Sequence, residues 1–264
     1  MDFRLLTLKK WFLPKFPILL VIFGNLWIWR MFSESILVGV SAMASSLLLY
    51  RTIKFGKLEK LLVLFLLILF VQQIKVTDIR PLTYLSEQEK IVQLRRLNEY
   101  PPIKVPFGTK NVFIPLAHWL EERPEILSLY RIQNNLSEAL SPNLYFFSNH
   151  PNERVGIKEY EKFPYILLPF FVIGFLTLNF RKDLRVLLVS LFAPILLVAL
   201  FGSEIATEPI SLFPFLSLCG ASGVEYVGKR VSKLKSQNLK KVIIISFVFL
   251  YILVLMQTYF YDRL

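Results

Sequence analysis

The chain has 264 residues, is 55% hydrophobic and carries a formal charge of +12. That apolar share exceeds the roughly 45–50% of soluble domains, and it gathers in runs such as 61–71 and 242–256, so the residues predict an integral membrane protein. The region 76–162 balances 11 basic against 11 acidic residues, and the surplus lies in short segments between apolar runs, which argues against nucleic-acid binding.

In chain order, seven segments can span or nearly span a bilayer: 12–30, 36–50, 59–75, 163–180, 185–202, 209–227 and 242–260. The first follows a basic start and is longer than the roughly 7–15 residues of a signal-peptide h-region, so it predicts an uncleaved anchor. Within it Asn25 predicts a helix–helix hydrogen bond, and Trp27 and Trp29 predict interface anchors. The second carries Ser41/Ser45 and Ala42/Ser46 in small-xxx-small spacing, which lets helices approach closely. Cys219, the only cysteine, lies inside the sixth, so no intramolecular disulfide can form and a Cys-ligated zinc site is excluded.

Counting Lys and Arg orients the chain. With the N-terminus inside, the cytoplasmic segments hold 17 of them, and the short outer segments hold only Arg30 and Arg263. An odd number of spans then puts the C-terminus outside and makes 76–162 extracytoplasmic. Ser86 and Glu89 there predict a capping box for a helix that ends at Pro101-Pro102, with Ile91, Leu94 and Leu97 as its apolar stripe. "NVFIPLAHWLEER" predicts a second, shorter helical piece, interrupted near Pro115. "PEILSLYRIQNNLSEAL" predicts a third, burying Ile126, Leu129, Tyr130, Ile132, Leu136 and Leu140. Strand-like alternation is scarce. The expected fold is therefore all-α: a polytopic membrane protein of about seven transmembrane helices with a small helical extracytoplasmic cap. Its divisions are a three-span segment at 1–75, the cap at 76–162 and a four-span segment at 163–264.

The most polar short stretch is "SNHPNERVG". Asn149, His150, Asn152 and Arg154 together can hold a phosphate or a sugar hydroxyl, with arginine giving bidentate contacts. Turn capping and ion pairing with Glu153 or Glu159 account for the same residues in structural terms. Tyr145, Phe146 and Phe147 before it, and Tyr160, Phe163 and Tyr165 after it, read as an aromatic belt, with Lys162 fixing the chain at the interface. Glu204 and Glu208, in the outer loop between the fifth and sixth spans, share a side with this stretch. Glu225 has Lys229 four residues on as an ion-pair partner. His118 reads as part of a packed or interfacial helix face, with Glu121 and Glu122 within one turn; no metal-ligand spacing is present. Asn135-Leu136-Ser137 fits the N-glycosylation pattern.

A basic start, a multi-span bundle, an extracytoplasmic region between spans and the late run "EPISLFPFLSLCGASGVEYV" resemble the polytopic GT-C-type glycosyltransferases, over about 140–260. The resemblance implies an enzyme that takes sugar from a polyprenyl-phosphate carrier at the outer membrane face. The first outer loop, where that family carries acidic residues, offers Glu34. The function expected is action on a lipid-linked glycan or phosphate-bearing lipid of the cell envelope, with no cofactor. The partners are the bilayer, an anionic lipid such as a polyprenyl phosphate, and no nucleic acid. The alternative is a non-catalytic membrane subunit whose cap docks a membrane protein partner.

Overall fold

A computed structural model describes residues 16–56, 60–77, 81–100, 102–147, 160–178, 186, 188–201 and 209–263. Among the described residues the chain is mostly helical, and three helices are long and apolar enough to cross a membrane: Ile36–Phe55, Ile210–Ser232 and Gln237–Phe260. Two further apolar helical stretches, Tyr165–Thr177 and Leu188–Leu200, are shorter. The chain divides into two compact units, one of Met1–Val76, Leu140–Ile195 and Glu208–Leu264, the other of Thr77–Ala139 and Leu196–Thr207.

The first unit opens with two helices where one span is expected, α1 (Phe16–Phe23) and α2 (Leu26–Glu34). Asn25 makes the break. Its side-chain oxygen accepts the Ile28 N–H at 2.9 Å, and its Nδ2 donates to the carbonyls of Val21 at 2.6 Å and Ile22 at 2.7 Å. One fully buried side chain thus satisfies orphan groups on both helix ends. The expected interhelical bond from Asn25 is therefore replaced by a clamp on its own backbone.

Helix α3 (Ile36–Phe55) runs five residues beyond the predicted span and stops at Gly56, whose φ of 68° suits a residue without Cβ. It buries Ser41, Ala42, Ser45 and Ser46 completely. Ser45 and Ser46 turn their hydroxyls back onto the Ser41 and Ala42 carbonyls at 2.6 and 2.7 Å, leaving a smooth face of small side chains. Helix α4 (Lys60–Val76) follows, with its apolar run at Leu61–Val71. Gln73 on it is buried and accepts from both the N–H and the hydroxyl of Ser211, at 3.2 and 3.3 Å.

Later in this unit come α8 (Pro142–Phe146), α9 (Leu168–Thr177), α11 (Phe213–Ser232) and α12 (Gln237–Arg263). Helices α9 and α11 cross with no side chain between them, at Gly174 and Gly223. Val21 lies beside Gly220 and Trp27 beside Phe213, so α1 and α2 run antiparallel to α11.

Between the units' sequence boundaries, α10 (Ala193–Phe201) is preceded by a π-helical turn at Leu188–Phe192. Pro194 supplies no N–H to the ladder there, and a widened turn is one accommodation of that loss.

The second unit holds α5 (Glu87–Glu99), a hairpin of β1 (Ile103–Phe107) and β2 (Lys110–Ile114), α6 (Leu116–Glu122) and α7 (Pro124–Leu140) up to Ala139. The capping box of α5 is formed: Ser86 Oγ accepts the Glu89 N–H at 3.3 Å, and Glu89 accepts the Ser86 N–H at 2.6 Å. Burial by itself raises the Glu89 pKa, but the Ser86 bonds and Arg131 at 3.0 Å outweigh it and hold the carboxyl below its ordinary value.

The hairpin overturns the all-helical expectation for the cap. "NVFI" belongs to a strand, not a helix, and the pairing runs Ile103↔Ile114, Val105↔Val112 and Phe107↔Lys110. Gly108, at φ 64°, occupies the first loop position, where a type II′ turn places its glycine. Pro102 and Pro106 deny this stretch a helix, and Pro106 is tolerable because each strand is an edge.

The buried faces of α5 and α7 also differ from expectation. Leu97 is buried, but Ile91 and Leu94 are 59% and 60% exposed. On α7, Leu129 and Leu140 are 62% and 54% exposed, and Tyr130 and Leu136 also face outward, while Asn135 and Ala139 are buried. Asn135 Nδ2 donates to the Ala199 carbonyl at 3.1 Å, so the sequon's amide is engaged inside the fold.

Candidate functional site

The stretch Asn149, His150, Asn152 and Arg154, and the outer-loop Glu204 and Glu208, lie outside the described residues. What the structure does describe is the chain on either side of that stretch, and it is not an interfacial belt. Tyr145, Phe146, Tyr160 and Phe163 are buried, and only Phe147 and Tyr165 are exposed. The cause is Trp27. Placed on the first turn of α2 by the Asn25 cap, its fully buried indole meets Tyr145 at 5.9 Å, Phe163 at 5.8 Å and Phe213 at 5.4 Å, the last two edge-to-face. Phe163 in turn stacks on Phe213 at 5.7 Å and meets Phe171 at 5.0 Å. Four separate stretches of sequence thus converge on one aromatic core.

Two cations are set into its edge. Lys162 is 5% exposed, and its Nζ lies 5.0 Å from the Tyr160 ring centre and 5.8 Å from the Trp27 ring centre. The Arg30 guanidinium, one helical turn beyond Trp27, lies 3.6 Å from the centre of the same Tyr160 ring. Backbone bonds pin the arrangement: the Trp27 N–H donates to the Lys162 carbonyl at 3.4 Å, and the Phe163 N–H to the Tyr145 carbonyl at 2.8 Å. Desolvation pushes the Tyr145 phenol well above its ordinary value, so it stays a neutral hydroxyl. Each aromatic face offsets about 0.5–2 kcal/mol of the cost of desolvating a buried ammonium, and guanidinium and ammonium groups are the side chains that give charge-assisted hydrogen bonds to phosphate.

Glu161 lies between these groups in sequence and turns to α12, accepting the Thr258 hydroxyl at 2.7 Å. Burial raises its pKa above the ordinary value, against the lowering effect of that bond. The folded state therefore binds this proton more tightly than the unfolded chain. Stability is fullest below the unfolded value of about 4.3 and falls as pH rises through the raised folded value. Thermal midpoints measured across that window in detergent should decline with pH, and Glu161→Gln should remove that part of the decline. A wild-type-minus-variant difference that is flat with pH would contradict the assignment.

At the other end of α11 a second polar knot forms. Glu225 accepts Tyr50 Oη at 2.6 Å, Lys54 at 3.2 Å and Lys229 at 2.8 Å. The expected Glu225–Lys229 pair is present, and two α3 side chains join it. Elsewhere His118 pairs with Glu122 at 3.4 Å on an exposed face, while Glu121 meets Arg96 at 3.6 Å. Among the described residues no three His, Cys, Asp or Glu side chains gather as a metal site.

Comparison with protein-family models, with curated proteins and with solved structures finds no match to the chain. From sequence, Arg30 reads only as an outer-side charge and Lys162 only as an anchor. The available signal was Trp27 and Arg30 one turn apart at the end of an apolar run, with Tyr160 and Lys162 flanking a carboxylate after the polar stretch.

Proposed function

We propose that the chain is a polytopic membrane protein that binds the phosphate-bearing headgroup of an envelope lipid or lipid-linked glycan at the outer membrane face. The observation that carries this reading is the convergence of Arg30 and the buried Lys162 on the ring of Tyr160. Arg30 supplies a fork for two phosphate oxygens, and Lys162 a point charge shielded from water. The tail of such a ligand would run along apolar helix surface. Asn149, His150, Asn152 and Arg154, six or more residues before Tyr160 in sequence, would add polar contacts.

The two polar knots support the orientation read from the charges. Lys54 and Lys229, both assigned to the cytoplasmic side, share the Glu225 carboxylate. Arg30, assigned to the outer side, is one turn beyond Trp27, whose ring meets Phe213 about 18 Å from Glu225 along α11 at 1.5 Å per residue. The seven-span topology adds to the three long helices the shorter apolar ones, α1 with α2, α4, α9 and α10. In a GT-C-like enzyme the bound headgroup would be a polyprenyl phosphate carrying the sugar to be transferred.

The test is lipid binding by the full chain in nanodiscs of phosphatidylcholine, titrated with a short-chain polyprenyl phosphate. Arg30→Gln and Lys162→Met should each weaken binding about tenfold or more, since one charge-assisted bond is worth about 1.5–3 kcal/mol. Binding that neither variant weakens would refute the site. Arg30→Gln decides the question alone if Lys162→Met fails to fold.

A further inference from the structure

The second unit holds polar contacts in its interior and leaves large apolar side chains exposed on its elements. Arg131 on α7 donates to the Tyr84 carbonyl at 2.6 Å and pairs with Glu89 at 3.0 Å, and Asn135 bonds the Ala199 carbonyl of α10. Although Leu97 on α5 is buried, every element leaves large apolar side chains exposed. They are Ile91 and Leu94 on α5, Val105 and Phe107 on the hairpin, Trp119 on α6 and Leu129 on α7, at 38% to 77% exposure. In water this arrangement forfeits roughly 25 cal/mol for each Å² of apolar surface left unburied.

We propose that this unit lies in the headgroup layer of the bilayer, with those side chains set into the acyl boundary. The inference rests on membrane insertion of the chain and not on the anion site. Two observations select lipid over a protein partner. Helix α7 grips through Asn135 the backbone of α10, a wholly apolar helix whose Leu196 is itself 59% exposed. Cations sit over outward rings, Arg123 4.9 Å from the Trp119 ring centre and Lys104 5.5 Å from that of Phe113. This is the arrangement in which an interfacial aromatic lies at the lipid boundary while a long cationic side chain reaches the headgroups.

The test uses the full chain in vesicles of phosphatidylcholine and phosphatidylglycerol, in a Cys219→Ala background. Single cysteines at Leu94, Val105 and Leu129 carry an environment-sensitive fluorophore, and Glu87→Cys serves as the water-facing reference. Nitroxide lipids bearing the spin label near the headgroup should quench the three probes, whose depth would be ~5–10 Å. Aqueous iodide should quench them several-fold less than the probe at Glu87. Probes open to iodide while the chain resists alkaline carbonate extraction would overturn this inference alone. Probes shielded from both quenchers would also overturn it, in favour of a protein partner or a second copy. Release by carbonate would overturn the membrane reading together with it.

Discussion

Alanine at Gly174 or Gly223 is expected to lower the unfolding temperature of the purified protein sharply, whereas alanine at Gly228 is not. A Cβ on Gly174 would lie 1.8 Å from the Cys219 carbonyl oxygen, and one on Gly223 would lie 1.8 Å from the Phe170 carbonyl oxygen. Both obstacles are backbone, so no rotamer change relieves them and the helices must separate. Overpacking of this kind costs about 1–3 kcal/mol, and the separation also loosens Phe171, whose ring lies against Gly220 on the same contact. Gly228, five residues beyond Gly223 on α11, has nothing within 4 Å of its would-be Cβ. There alanine should gain the ~1 kcal/mol by which it exceeds glycine in helix propensity. Equal midpoints for the Gly174 and Gly228 variants would show that α9 and α11 do not cross this closely.

This contact marks one limit of what the sequence reveals. Small-residue spacing was legible at Ser41–Ser46, and those side chains are indeed buried. The closest approach nevertheless falls at Gly174 and Gly223, on segments far apart in the chain, and spacing within one helix does not say which other helix meets it. Periodicity has a similar blind spot on α7. It picks out Leu129, Leu136 and Leu140 as one stripe, but not whether that stripe turns toward protein or away from it. In a chain with membrane-type helices both are favourable, and the polar grip of Arg131 and Asn135 decides for the outward orientation. Local signals with a fixed partner fared better. The Ser86–Glu89 box and the Glu225–Lys229 pair each lie within one helical turn and are present as read. The hairpin was missed because prolines interrupt its alternation, although the Gly-Thr turn marks it.

The aromatic core supplies the second large effect. Trp27→Ala should cost about 3–5 kcal/mol, the usual range for deleting a buried aromatic, because its indole bridges α2, α8, the Tyr160–Phe163 segment and the start of α11. Trp27→Phe should cost much less, since a phenyl ring can keep the edge-to-face contacts with Phe163 and Phe213. The sequence reading of Trp27 as an interface anchor makes a different forecast. An anchor at the lipid boundary would tolerate alanine with little change in midpoint, and its loss would alter the depth or tilt of the helix instead. Denaturation in mild detergent separates the two, because it measures the fold without a bilayer. The variant carries a functional corollary as well. Trp27 gives Lys162 one of its two aromatic faces and bonds its backbone carbonyl. Below its unfolding midpoint Trp27→Ala should therefore also weaken binding of the phosphate-bearing lipid, and Trp27→Phe should restore most of it. A loss of stability with no change in affinity would separate the core from the site and leave Arg30 and Tyr160 as the parts that hold the anion.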